Sequence, residues 1–320
     1  MVVIASLLTW AFFGRSTKPP VNTAVPPSII LSPIDAPFLP TVPNGGNEQY
    51  TNIPRLTFQT TMPGYTFEKS NFVGKNINTV VSAFNYNKPL TTIEGAKTKY
   101  HFGNSGLQSV IISDQPPTFS YDVATLSGKT VSSDIPWYEN SVSSLVYEKN
   151  IIPSIFKLEH PTVSYISPID STPHRATPQS ATVIQLDFEL SLNGFPVFVN
   201  NAAASPLTAR FDGDRSLLQL RGYLFPSVST TQSIVGLISY EEAVNRLTSN
   251  SGVLTSATTT SNENIASEQA PKQIEVSRVR LGYLYEYSLQ QFSPVFVFLG
   301  SGVLDNKDVV ITTTVVSALP

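Results

Sequence analysis

The amino-acid sequence predicts an α+β fold: antiparallel sheets in repeated helix-plus-meander units, after an N-terminal hydrophobic anchor and a Pro-rich stalk. Three observations carry that expectation. Helical spacing followed by several short strands recurs three times between Tyr50 and Pro320. Residues 184–192 alternate apolar and polar without a break. The first thirteen residues, MVVIASLLTWAFF, are almost wholly apolar, and eight prolines follow within residues 19–43.

As a helix, thirteen residues reach only about 20 Å, short of the ~30 Å hydrocarbon core of a bilayer. The run is therefore read as the C-terminal part of a membrane anchor over residues 1–18, with its start upstream of Met1. No charge precedes the run and no Ala-x-Ala follows it, so a cleaved signal peptide is disfavoured. A buried N-terminal helix or strand is the other reading. Residues 19–49 hold too many prolines for a helix or a central strand and read as an extended, semi-rigid spacer.

A first unit is expected over residues 50–135. Leu56 to Thr60 alternates as a half-buried strand, Met62-Pro63-Gly64 marks a turn, and a short strand follows at Tyr65. Ile77, Val80, Val81 and Phe84 fall at helical spacing. Strands are expected near residues 98–102, 109–113 and 118–123, separated by Gly103 to Gly106 and by Pro116-Pro117.

A second body is expected over residues 136–320. Val142, Leu145 and Val146 mark a helix between Tyr138 and Lys149. Ile184, Leu186, Phe188, Leu190 and Leu192 then share one face of a strand, with Gln185, Asp187 and Glu189 on the other. Asn193-Gly194 is a strong hairpin signal, and a second hairpin turns at Asp212-Gly213-Asp214. Ser239 to Glu242 is a capping box before a short helix. Residues 248–273 are polar and of low complexity, and most of them read as a mobile loop. Strands resume at Ile274–Tyr287, break at Phe292-Ser293-Pro294, and return at 295–299 and 309–316.

Charged residues are only 13% of the chain, the net charge is −3, and mean hydropathy is +0.02. Nucleic-acid binding through phosphates needs a basic excess, so it is not expected. The absence of cysteine excludes thiol chemistry, disulfides and thiolate metal sites. His101, His160 and His174 show no metal spacing, and no HExxH, nucleophile elbow, P-loop or dinucleotide fingerprint occurs. Asp212 and Asp214 read as turn chemistry rather than a calcium loop. Asp187 and Glu189 read as a solvated strand face rather than a glycosidase pair. No catalytic, metal or cofactor-binding residue is expected, and no cofactor. Tyr283, Tyr285 and Tyr287 form an aromatic stripe that is core if a helix covers it. Left exposed, it is the one candidate interaction face.

Several stretches carry a resemblance: NGFPV at Asn193–Val197, ARFDGD at Ala209–Asp214, ISYEEAVNRL at Ile238–Leu247, VRLGYLYEY at Val279–Tyr287 and FSPVFVFLG at Phe292–Gly300. They resemble the extracytoplasmic domains of the YycH/YycI family, membrane-anchored regulators of a sensor kinase, and the related PepSY-type modules. The resemblance implies a PepSY/YycI-like α+β body behind a single membrane-spanning helix, on the extracytoplasmic side of the cell membrane, and no catalytic residue. The function expected is non-enzymatic binding or regulation. The membrane is engaged through the N-terminal segment, the partner is a protein or peptide of the cell envelope, and nucleic acid is not a partner. A structural cell-surface assembly protein and an envelope-active hydrolase are the alternatives. A chain beginning near Asn44 is expected to stay soluble on expression, measured as the fraction in the supernatant after ultracentrifugation. Insolubility counts against the anchor-and-stalk layout.

Overall fold

The computed structural model describes residues 42, 46–67, 72–86, 91–93, 99–104, 108–169, 172–200, 202–228, 233–259 and 270–320. The expected anchor, most of the expected stalk and residues 260–269 of the expected loop lie outside them. The described residues belong to one compact unit spanning Leu31–Pro320. None of their helices is long and apolar enough to cross a membrane.

The first described elements are β1 (Gln49–Thr51), β2 (Thr61–Thr66), α1 (Phe72–Ala83), β3 (Thr91–Ile93), β4 (Lys99–Asn104), β5 (Gln108–Asp114) and β6 (Pro117–Val123). Helix α2 (Ile135–Glu148) leads to β7 (Phe156–Leu158), β8 (Thr162–Ile169), β9 (Thr172–Arg175), β10 (Val183–Phe188), β11 (Leu190–Leu192) and β12 (Phe195–Val199). Then come β13 (Leu207–Asp212), β14 (Leu217–Tyr223), β15 (Ser233–Gly236) and α3 (Tyr240–Thr248). The last elements are β16 (Val253–Thr259), β17 (Gln273–Glu286), β18 (Gln291–Val303) and β19 (Val309–Ser317).

Half of the described residues are in strands, and these form two large sheets. This corrects the expected α+β fold of repeated helix-plus-meander units: the protein is mostly β. The nine-stranded sheet runs β3-β4-β5-β6-β14-β13-β10-β8-β9. The ten-stranded sheet runs β15-β2-β18-β17-β12-β11-β7, with β1 beside β17, β19 beside β18, and β16 beside β19. The meander β3 to β6 does form, but later strands extend the same sheet instead of building one of their own. The division expected at residue 135 coincides with no break in either sheet, because β6 pairs with β14 and β2 pairs with β18.

One ribbon belongs to both sheets. Strands β8 and β10 pair in the nine-stranded sheet, while their continuations β7 and β11 pair in the ten-stranded one. The alternating run expected as one strand is thus divided at Glu189. Ile184, Leu186, Phe188, Leu190 and Leu192 stay buried across the division. The Asn193-Gly194 turn follows, with φ of 52° and 81°, and closes the β11–β12 hairpin as its sequence demands.

The three helices among the described residues cover apolar sheet residues. Phe84, just past α1, stacks on Tyr121 of β6 at 4.1 Å between ring centroids. Trp137 and Tyr138 of α2 pack on Phe211 of β13, and Tyr240 of α3 packs on Phe296 and Phe298 of β18. The Ser239 cap holds: its Oγ accepts the Glu242 N–H at 3.1 Å, while the Glu242 carboxylate turns to Arg246 at 3.2 Å. Strand β18 is buried on both faces over most of its length, which is why FSPVFVFLG reads as a continuous apolar run.

Several local expectations fail for identifiable reasons. Met62-Pro63-Gly64 lies inside β2 and Phe292-Ser293-Pro294 inside β18, because proline is tolerated where the ladder does not need its missing N–H. Residues 56–60 are not a strand. Part of the expected 248–273 loop is β16, whose β-branched VLTSATT pairs with β19. His174 lies in β9 opposite Ser167. Near the end of the expected stalk, Val42 is buried and donates its backbone N–H to the Leu254 carbonyl at 2.9 Å.

Gly282 of β17 shows how closely β12 approaches. A Cβ there would lie 2.4 Å from the Pro196 carbonyl and 2.7 Å from the Phe198 ring. Gly282→Ala is expected to cost about 1–3 kcal/mol by overpacking. The check is a lower urea midpoint with an unchanged slope.

Candidate functional site

The tyrosine stripe is not an interaction face. Tyr283 and Tyr285 are buried, and their hydroxyls donate to the carbonyls of Pro63 (2.6 Å) and Leu224 (3.1 Å). Burial pushes both phenols far up. Tyr287 is half-buried and stacks on Phe67. The stripe is core because β17 turns this side toward the cluster it shares with the nine-stranded sheet.

The other residues singled out by sequence fall in separate places. His160 Nδ1 lies 3.2 Å from Glu139 at the surface. His101 is half-buried in β4, with its Nε2 unpartnered. Asp212 is a turn anchor: Oδ1 accepts the N–H groups of Asp214 (3.0 Å) and Ser216 (2.9 Å), and Asp214 pairs with Lys129 at 2.7 Å. Gly213 is required there, since a Cβ would sit 2.2 Å from the Lys129 carbonyl. Asp187 and Glu189 join different networks. Glu189, at the bend of the shared ribbon, takes two bonds from Arg280 (2.5 and 2.6 Å), which hold its carboxyl below the usual range.

Asp187 belongs to a surface the sequence did not mark. One face of the nine-stranded sheet carries Val110, Phe119, Leu220, Ala209, Leu186 and their neighbours, all buried. The opposite face is polar, and strand register sets its side chains in rows. One row runs Ser109, Asp122, Gln219, Arg210, Gln185 and Ser164 across six strands. The next runs through Ser120, Arg221, Thr208 and Asp187 to Thr162. Hydrogen bonds lock much of this face. Gln219 Nε2 donates to Asp122 at 2.5 Å, Ser120 also bonds Asp122, and Arg210 Nε donates to Gln185 at 2.8 Å. Gln185 Nε2 and Thr208 Oγ1 each donate to Asp187 at 2.7 Å.

At one end of these rows the face dips into a cavity of about 500 Å³, lined by Thr118, Asp187, Ser205, Thr208, Arg221 and Tyr223. Gly222 sets its wall. With no side chain, it lets the Pro206 carbonyl come close enough to accept the Tyr223 N–H at 3.0 Å. Arg221 is exposed, and no described residue gives it a hydrogen bond or an ion pair. Burial, and after it the Arg221 guanidinium, push the Arg210 guanidinium down, while burial pushes the Tyr223 phenol up. The site offers charge and hydrogen bonds; its described lining holds no histidine, and its carboxylate, Asp187, takes the Thr208 hydroxyl proton in a hydrogen bond at 2.7 Å. Among the described residues no group of three acidic or histidine side chains is placed to hold a metal.

A buried carboxyl lies elsewhere, at the β17–β18 hairpin. Glu286 accepts from Ser293 and Gln291, and burial raises its pKa despite these bonds.

No protein-family model matches this chain, and no curated protein does. Among solved structures, it is similar to a chain in the complex of Pseudomonas aeruginosa MucA/MucB, at a TM-score of 0.10 and 8% identity. That alignment covers 76% of this chain and 93% of the other. A TM-score this low carries no argument about fold or function.

Because Glu286 holds its proton more tightly folded than unfolded, its contribution is complete below the ordinary Glu range, near 4.5, and is lost as pH rises through its raised folded value. Glu286→Gln is therefore expected to flatten the decline in stability above that range. Urea midpoints of both proteins between pH 4 and pH 8 provide the check.

Proposed function

We propose that the chain is a membrane-anchored, extracytoplasmic, non-enzymatic binding protein whose ligand sits on the polar face of the nine-stranded sheet. The observation that carries this reading is Arg221, an unpartnered guanidinium at the wall of a cavity on an otherwise hydrogen-bonded face. Side chains already fixed by one another lose little freedom when a ligand arrives, which lowers the cost of binding. The anchor rests on MVVIASLLTWAFF and the prolines after it. A regulatory role rests on the YycH/YycI resemblance alone. Asp187 and Glu189 are engaged by different partners, so this pair does not support the hydrolase alternative.

One observation favours a second reading, a structural surface assembly. Ile234 on β15 and Val303, Val309 and Ile311 on the β18–β19 hairpin are exposed apolar strand residues. Assembly through them predicts oligomers that grow with concentration.

The test begins in the native host with a tag after Pro320. The tag is expected to fractionate with membranes and to be cleaved by protease added to intact cells. The purified full chain is then expected to bind isolated envelope material saturably. Arg221→Glu is expected to weaken that binding at least tenfold without moving the unfolding midpoint. A soluble, protected tag overturns the anchor, unchanged binding by the variant overturns the face, and product released from envelope polymers makes the protein an enzyme.

A further inference from the structure

We propose that the cavity beside Arg221 binds a uronate, a sugar acid whose carboxylate meets Arg221 and whose hydroxyls meet Asp187. The inference rests on the binding-face reading above and gives that face a ligand class. The cavity's volume of about 500 Å³ is that of a small-molecule site rather than of a polypeptide groove. Its two charged groups are held in opposite ways. Asp187 is fixed by one donor on each oxygen, Thr208 on Oδ1 and Gln185 on Oδ2. Each oxygen keeps a lone pair for a further donor. Arg221 has no partner among the described residues, and its five N–H donors form a planar fork that matches a carboxylate.

The surroundings narrow the ligand further. Arg210 and Arg221 lie close enough to repel each other, and a carboxylate on Arg221 relieves that repulsion. A neutral sugar leaves the guanidinium without a counter-charge. A bare phosphate meets Asp187 on the opposite wall, and a cation meets two arginines. The ligand must therefore present an anion at one end and hydrogen-bond donors at the other. Asp187 on β10 and Arg221 on β14 have Thr208 of β13 between them in register. At about 4.8 Å per strand, their backbones stand roughly 10 Å apart. An α-amino acid carries its ammonium and carboxylate on one carbon. A hexuronate carries its carboxylate and its far hydroxyls at opposite sides of a ring, which suits groups held two strands apart. The hydroxyls of Thr118, Ser205 and Tyr223 line the same space and can serve the remaining sugar hydroxyls.

Two other cavities lined by described residues lack this feature. A comparable one, about 490 Å³, beside β1 has its charges already paired, Asn52 with Glu275 at 2.7 Å and Lys272 with Asp305 at 3.0 Å. The space beside His160 is about 170 Å³, with Glu139 bonded to His160 and Glu159 to Ser191.

The test is calorimetric titration of the full chain with D-galacturonate and D-glucuronate, and with D-galactose, L-glutamate and inorganic phosphate as comparison. At least one uronate is expected to bind saturably, and the three comparison compounds at least tenfold more weakly. Arg221→Gln, at an exposed position, is expected to lower uronate affinity at least tenfold with the urea midpoint unchanged. Asp187→Asn is expected to weaken uronate and galactose alike. The proposal is overturned if neither uronate binds at millimolar concentration, if any comparison compound binds as tightly, or if Arg221→Gln binds uronate as the wild type does. If uronates fail while Arg221→Glu still abolishes binding to envelope material, the ligand class falls and the binding face stands. If that variant also binds envelope material unchanged, both fall.

Discussion

The bend at Glu189 is the constraint on which both sheets depend. Two neighbouring strands leave the nine-stranded sheet together and enter the ten-stranded sheet together: their ladder stops at Asp187 and Thr162 and resumes at Leu190 and Leu158, one residue out of register. What fixes the bend is the period of the side chains. Even-numbered residues from Ile184 to Leu192 stay inward on both sides of it, and a slip of one residue would turn all of them out. Glu189 stands at the turning point with Arg280 of β17 clasped to it, and Glu159, between β7 and β8, takes a bond from Ser191. These bonds are half-exposed and add little energy. Their service is to fix direction, since the backbone of Glu159 also donates to the carbonyl of Glu189 at 3.0 Å.

From that bend the remaining burial follows. Strand β12 returns from the Asn193 turn beside β11 and lies parallel to β17, setting Val197 against Tyr283 and Val199 against Tyr285. The tyrosines are thereby driven into the cluster that also holds Phe156 and Phe225. The nine-stranded sheet keeps its other face in water, and the chain's few charges are used there in ordered rows. A protein with 13% charged residues has few to spend, and it places Asp122, Arg210, Asp187 and Arg221 on four adjacent strands.

Local structure was legible in the sequence where one residue type imposes one geometry. Asn193-Gly194, the Ser239 cap, the meander from Lys99 to Val123 and the alternation before Leu192 all follow from turn chemistry or period. The fold class was not legible, because period reports which face of a strand is buried and not which sheet it joins. Glu189 looks like any other polar residue in an alternating run. Pro63 and Pro294 mislead because proline's meaning depends on which neighbour needs an N–H. The polar face was hidden for a related reason: Asp122, Arg210, Arg221 and Asp187 are scattered over 100 positions and become neighbours only through register. A polar residue at every second position of β6, β10, β13 and β14 was its one visible trace.

The pairing of β1 and β2 with β17 and β18 sets an order of events during synthesis. Thr51 bonds to Ile274, 223 positions later, and Tyr283 to Pro63, 220 positions earlier. A ribosome adding 5–20 residues per second needs roughly 10–40 s to cover that distance. Throughout that interval Tyr65 and Phe67 have no β17–β18 hairpin to rest against, and the apolar side of the growing nine-stranded sheet has only part of its cover. The earliest strands wait for nearly the last, so a prematurely stopped chain is not a smaller folded protein but an open one. Until Val303 has emerged, that apolar surface has no strand to close it.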